Sequence, residues 1–195
     1  PTPAVSWAVK EHGAGAGVMI TASHNPPIYN GFKIKESFGG SARPETTLLL
    51  EQIVAYNQEQ GRGVSSRPFD EACRSGLIEL VDLSNQYLRQ LSHLVDLEAI
   101  RKAAIPALAD PMYGAGSGCF KRLLDMEEIH DLVNPSFGGR APEPIGENLQ
   151  ELCSLVGSGR YRVGLALDGD ADRIGAVDET GAFFSSHAIF TLLLK

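Results

Sequence analysis

Ser23 and His24 stand side by side in Thr21-Ala22-Ser23-His24-Asn25-Pro26-Pro27, and Lys33 follows shortly after. A serine hydroxyl is a poor nucleophile at neutral pH. It needs a base, a metal or a group that stabilises the departing charge, and His24 and Lys33 are the nearby candidates. Pro26 and Pro27 fix their own φ angles and bias Asn25 towards an extended conformation, which stiffens the loop around the hydroxyl. The same string also suits an ordinary turn, since Ser, Asn and Pro all favour turns. The nucleophile elbow of serine hydrolases does not fit, because Gly-x-Ser-x-Gly is absent and a proline lies three residues after the serine.

A second chemical string lies far along the chain, Asp168-Gly169-Asp170-Ala171-Asp172-Arg173. Carboxylates at alternate positions of an extended segment point the same way, and they repel unless a cation lies among them. Oxygen-only ligation favours Mg²⁺, Mn²⁺ or Ca²⁺ over zinc. An EF-hand would share the Asp-x-Asp-x-Asp opening, with Glu179 at the twelfth position. Arg173, however, stands where that loop requires glycine, and an apolar strand precedes it. A haloacid-dehalogenase reading would make Asp168 a nucleophile, but it leaves Asp172 and the Ser23 loop unexplained. Three carboxylates and one divalent cation leave a net single negative charge. A phosphate could therefore bind only where Arg173, Lys33 and His24 converge, with arginine suited to a two-pronged grip.

These strings must be positioned by strands and helices. Val18-Met19-Ile20 precedes the first and Val163 to Leu167 the second, so each is expected in a loop at the carboxyl end of a strand, where open α/β sheets place ligands. Thr2 is a good N-cap and Pro3 a good first helical residue, predicting a helix from Pro3 to about Glu11. Strands are expected at Ala16 to Ile20 and Phe32 to Lys35. A second helix should open at Pro44-Glu45, put Leu49, Leu50, Ile53 and Val54 on one face and stop at Gly61. After a loop from Gly61 to Arg67, Asp82 or Ser84 caps a helix carrying Tyr87, Leu88, Leu91 and Leu94. Ile105 to Ala109 reads as a strand weakened by Pro106, and Gly114 to Gly118 as a strand-to-helix turn. A stripe of Cys119, Phe120, Leu123 and Leu124 gives the next helix. A loop from Asn134 to Pro144 and a helix from Glu147 to about Val156 follow. The end reads as strand, aspartate loop, strand at Ile174 to Val177, turn at Asp178 to Gly181, then strand and a helix capped by Ser185 or Ser186.

This alternation predicts an α/β fold: two consecutive α/β/α layered domains with mixed, mainly parallel sheets. The expected division is 1–80, 81–178 and 179–195, the last being the start of a third unit. At 195 residues and 43% hydrophobic, the chain is long enough for one large domain or two small ones, each with a core. A net charge of −7 argues against a nucleic-acid partner and against an anionic membrane surface. No apolar run approaches the roughly 18 residues of a membrane span. Cys73, Cys119 and Cys153 are odd in number and widely spaced, which reads as reduced thiols in a cytoplasmic protein. The chain opens at Pro1 and stops within an apolar helical pattern, so it is expected to be a piece of a longer protein. His12, His93, His130 and His187 have no partners clustered in sequence and are expected in surface or capping roles.

Four strings in this order resemble the α-D-phosphohexomutase family, the phosphoglucomutases and phosphomannomutases. They are Thr21 to Pro27 continuing into Tyr29-Asn30-Gly31-Phe32-Lys33, Asp110-Pro111-Met112-Tyr113-Gly114, Phe137 to Pro144, and Leu167 to Arg173. The resemblance covers essentially the whole chain and implies most of domain 1, all of domain 2 and the start of domain 3 of a four-domain enzyme. By it, Ser23 maps to the phosphoserine, which also contacts the metal. Asp168, Asp170 and Asp172 map to the Mg²⁺ ligands, His24 and Lys33 to general acid and base candidates, and Arg173 to a charged contact near the phosphoserine. The implied partner is a phosphorylated hexose, glucose or mannose phosphate, with the remaining parts of domains 3 and 4 needed for a full mutase cycle. A non-catalytic module that binds metal or phosphate is the alternative from another class.

Overall fold

Short aliphatic runs bounded by glycine or polar turns set the strands, and amphipathic stretches cover them. The computed structural model describes residues 1–194. Helix α1 spans Thr2–Glu11 and lies on a hairpin of β1 (Ala16–Ile20) and β2 (Phe32–Glu36), antiparallel with Ile20 opposite Phe32 and Met19 opposite Lys33. Helix α2 (Pro44–Glu59) follows, with proline in its first turn as expected. The apolar face predicted on α2 exists, but no residue of the helix is buried. Leu49 is 56% and Val54 55% exposed, because a two-stranded sheet offers too little surface to cover them. The first unit (residues 1–80) has few buried apolar side chains. Val9 of α1 is its only buried large hydrophobic residue.

Two short helices that the sequence pattern does not announce, α3 (Phe69–Arg74) and α5 (Leu97–Ala103), flank α4 (Ser84–Leu94). The Asp82 carboxylate accepts the Ser84 N–H at 2.8 Å, close to the expected cap. The second sheet contains β3 (Ala107–Asp110), β4 (Glu127–Glu128), β5 (Val163–Leu167), β6 (Ile174–Asp178) and β7 (Phe183–Phe184), in the order β4-β3-β5-β6-β7. Pro106 falls just outside β3, so its missing N–H costs the ladder nothing, and its carbonyl accepts the Arg162 N–H at 2.7 Å.

The sheet is mixed rather than mainly parallel. Strand β3 runs parallel to β4 and β5, whereas β5, β6 and β7 are antiparallel in turn. The reason lies in the connections: Asp168 to Arg173 and Glu179 to Ala182 are too short for a crossover, so they can only turn the chain back. The core sits on one face of this sheet. Leu108, Ala166 and Val177 pack there with Leu149, Leu152 of α7 (Gln150–Leu155) and Val156, all fully buried. Helix α6 (Cys119–Leu124) and α5 lie over the opposite face, so this region has the expected layers. The final helix, α8 (Ser186–Leu193), is capped by the Ser185 hydroxyl, which accepts the Ala188 N–H at 3.3 Å. Among the described residues, no helix is long and apolar enough to cross a membrane.

Candidate active site

Both chemical strings are hairpin loops. Thr21 to Gly31 joins β1 to β2, closed by the Thr21 N–H on the Gly31 carbonyl at 2.9 Å, and Asp168 to Arg173 joins β5 to β6. They meet where Gly169 faces the first loop. A Cβ on Gly169 would lie 2.5 Å from the Ser23 carbonyl oxygen and 2.8 Å from Pro142 Cγ, so only glycine permits this approach. Gly114 does the same from behind, since its Cβ would meet the Gly169 carbonyl at 2.7 Å. The Asp110 to Gly114 string thus buttresses the aspartate loop, and the Ala115 N–H reaches the Gly169 carbonyl at 2.9 Å. The Phe137 to Pro144 string contributes the Pro142 carbonyl, which accepts the Gly169 N–H at 3.0 Å.

Ser23 adopts φ +57°, a left-handed conformation uncommon for a residue with a side chain. The Thr21 hydroxyl accepts its N–H at 2.7 Å and helps to hold it there. Its hydroxyl oxygen lies 3.4 Å from Asp168 Oδ2 and 3.5 Å from Asp170 Oδ1, with Arg173 Nη2 at 2.9 Å and Lys33 Nζ at 3.4 Å. Opposite Met19 in the hairpin register, Lys33 is carried by β2 back to the serine that follows β1.

The three carboxylates converge, with one ligand oxygen from each of Asp168, Asp170 and Asp172 lying within 4.8 Å of the others. A turn brings them together rather than the extended loop expected: the Ala171 N–H bonds back to the Asp168 carbonyl at 3.0 Å, and Ala171 has φ +58°. Asp168 Oδ1 accepts the N–H groups of Asp172 and Arg173 at 2.9 and 3.0 Å, and Oδ2 accepts from Arg173 Nε at 3.1 Å. Burial still pushes its carboxyl above the ordinary range, with the neighbouring aspartates adding to the effect. For Asp170 burial acts in the same direction, but hydrogen bonds from Lys33 and Thr2 outweigh it and hold the group low. The Lys33 ammonium sits 2.7 Å from both Asp170 Oδ2 and Asp172 Oδ2. These partners raise its pKa against the opposing effect of burial. An all-oxygen set of three carboxylates, two of them buried, can coordinate a hard divalent cation.

His24 meets Arg173 through Nδ1, which leaves Nε2 on the other side of the ring. That nitrogen faces Glu143 Oε1 at 3.8 Å, and Arg173 Nη1 lies 3.9 Å from the same carboxylate oxygen. All the residues singled out for chemistry therefore gather in one place. Three supporting residues escaped the sequence reading. Thr2, expected as a helix cap, instead donates its hydroxyl to Asp170 Oδ2 at 2.8 Å, while Thr21 donates to the same oxygen at 3.1 Å. Glu143 was visible only as part of a quoted string. His130 also departs from its expected surface role, because its Nδ1 lies 3.0 Å from buried Asp110 and its Nε2 lies 3.2 Å from Glu151.

Fold and site together define an α/β protein in which a serine hydroxyl faces a metal-capable carboxylate loop flanked by lysine, arginine and histidine. The sequence matches phosphoglucomutase/phosphomannomutase alpha/beta/alpha domain I over residues 1–61 and alpha/beta/alpha domain II over residues 85–181. The chain belongs to the phosphoglucomutase/phosphomannomutase family. It is 35% identical to the "Probable phosphoglucosamine mutase" of Methanothermobacter thermautotrophicus, across 100% of this chain and 42% of that relative. It is 34% identical to the "Phosphoglucomutase/phosphomannomutase" of Thermococcus kodakarensis, across 99% of this chain and 42% of that relative. A crystal structure of a Thermus thermophilus protein that carries the name phosphomannomutase superposes with a TM-score of 0.84 at 33% identity, covering 100% of this chain and 43% of that one. The chain thus spans about two fifths of the length of the relatives it matches.

Proposed function

We propose that this chain supplies the phosphoryl-carrying half of a phosphohexomutase. In this reading Ser23 is the phosphoserine, Asp168, Asp170 and Asp172 hold Mg²⁺, and the substrate is a hexose phosphate. The observation that carries the reading is the position of the Ser23 hydroxyl, 3.4 to 3.5 Å from two carboxylates of the trio and 2.9 Å from a guanidinium nitrogen. The relatives' names point to glucose, mannose or glucosamine phosphates as the substrate class. Further domains would read the sugar and clamp its distal phosphate. Free cysteines at 73, 119 and 153 agree with a cytoplasmic setting.

In the forward step the Oγ–P bond at Ser23 breaks and a new O–P bond forms at a sugar hydroxyl. The hydroxyl proton passes to a base and the serine oxygen regains a proton. The sugar bisphosphate then turns over in the cleft and returns its other phosphate to Ser23. Lys33, kept charged by Asp170 and Asp172, is placed to protonate Ser23 Oγ. Arg173 stabilises charge on the transferring oxygens by donating from a fixed fork, and it is itself oriented by Asp168. His24, with Nδ1 engaged by Arg173, is the remaining group for acid-base work at the sugar. Held by Asp168, Asp170 and Asp172, Mg²⁺ would neutralise negative charge on the phosphoryl group.

The test is the intact mass of the full-length protein before and after incubation with a hexose bisphosphate. One added phosphate in the wild type and none in Ser23→Ala is the expected result. Identical masses in both would favour a non-catalytic phosphate or metal-binding module. Assays on glucose 1-phosphate, mannose 1-phosphate and glucosamine 1-phosphate then rank the sugars.

A further inference from the structure

Asp170 is held unlike its two neighbours. Three donors converge on one of its oxygens, Oδ2: the Thr2 hydroxyl at 2.8 Å, the Thr21 hydroxyl at 3.1 Å and the Lys33 ammonium at 2.7 Å. A carboxylate oxygen has about two lone-pair directions, so Oδ2 has no capacity left. Oδ1 accepts nothing from the protein beyond the Ser23 hydroxyl at 3.5 Å, and it faces that hydroxyl. Thr2 binds Asp170 a second time, its N–H donating to the Asp170 carbonyl at 2.8 Å. It is only 2% exposed, and the helix it opens has no side-chain cap. Its hydroxyl is spent on the aspartate instead.

We infer that Thr2 is a positioning residue for the metal site: with Thr21 it locks Asp170 so that Oδ1 alone is presented to the ion. Ion affinity then depends on how helix α1 seats against the aspartate loop. The inference rests on the metal reading of the carboxylate trio. The two-point grip explains why threonine serves at position 2. Its N–H fixes the loop backbone and its hydroxyl fixes the rotation of the carboxylate, so ion binding need not order either.

The experiment measures Mn²⁺ affinity of the full-length protein by electron paramagnetic resonance titration, alongside thermal unfolding without metal. Thr2→Val should weaken Mn²⁺ binding by about 10- to 100-fold, the usual effect of losing an outer-shell partner. Thr2→Ser, which keeps the donor, should restore it to within about threefold, a rescue that general destabilisation would not produce. Thr21→Val carries the same expectation should Thr2→Val fail to fold. Wild-type affinity in Thr2→Val, or in Thr21→Val where Thr2→Val fails to fold, or no rescue by serine, overturns the inference and leaves the metal reading standing. A wild type that does not bind Mn²⁺ overturns both.

Discussion

Ser23 holds its side chain up on a left-handed backbone, and for an L-residue that conformation costs about 1–2 kcal/mol. Glycine escapes the cost and alanine does not. Ser23→Gly should therefore unfold at higher denaturant than Ser23→Ala, by about 1 kcal/mol, although both lose the hydroxyl. Equal stabilities would mean that the loop relaxes once the hydroxyl is gone. At this scale the sequence was informative, because hydroxyl, imidazole, ammonium, guanidinium and carboxylates announce their chemistry by type. What it hid was the use of Thr2. A threonine before a proline is a good helix cap by any local rule, and only a partner 168 residues away diverts its hydroxyl.

Among the elements, the aspartate loop depends on close packing from both sides. Gly169→Ala would drive a methyl into the Ser23 carbonyl and the Pro142 ring, with cost of about 1–3 kcal/mol. A shift of the serine by about 1 Å should cut phosphoryl uptake by on the order of 100-fold. Rapid uptake at wild-type rate by that variant would show that the loops do not need the contact. Strand β3 ends on Asp110, whose carboxyl is pushed up by burial despite His130 and the Met112 N–H. The folded chain then holds this proton more tightly than the unfolded one. Wild-type stability measured against Asp110→Asn should rise as pH falls through the raised value and level off below 3.8. Denaturant titrations in which the wild type gains on the variant as pH rises would contradict this. Most strand positions were legible from apolar runs, but β4, two glutamates, and the direction of the strands were not. The sequence pattern looks alike for parallel and antiparallel partners, and only the shortness of the Asp168 to Arg173 connection distinguishes them. Helices α3 and α5, six and seven residues long, are too short to show a convincing period.

For the molecule as a whole, the candidate ion site lies where the serine loop meets the aspartate loop of the second sheet. The buried hydrophobic cluster belongs to the second sheet, while α2 and much of the β1–β2 hairpin remain open. Composition counts apolar residues without saying how much sheet is present to cover them. A ligand held between the regions should therefore stabilise the fold by linkage. Mn²⁺ at about 100 times its dissociation constant should add roughly 2.7 kcal/mol, and chelation should remove it. Replacing Asp168 and Asp170 together by asparagine should abolish the gain, as read by thermal shift. A gain that survives the double replacement would place the ion elsewhere.

The tie between Thr2 and Asp170 also sets an order in time. Synthesis runs from the amino end, so Thr2 leaves the ribosome before Asp170 and must wait for the long intervening stretch to emerge before its buried hydroxyl finds a partner. Helices and hairpins within each region can condense early, since their contacts are local, whereas closing so long a span is slow. The candidate site is thus completed only once β5 and β6 have emerged, and a chain interrupted before β5 would carry the serine loop without the aspartates that face it.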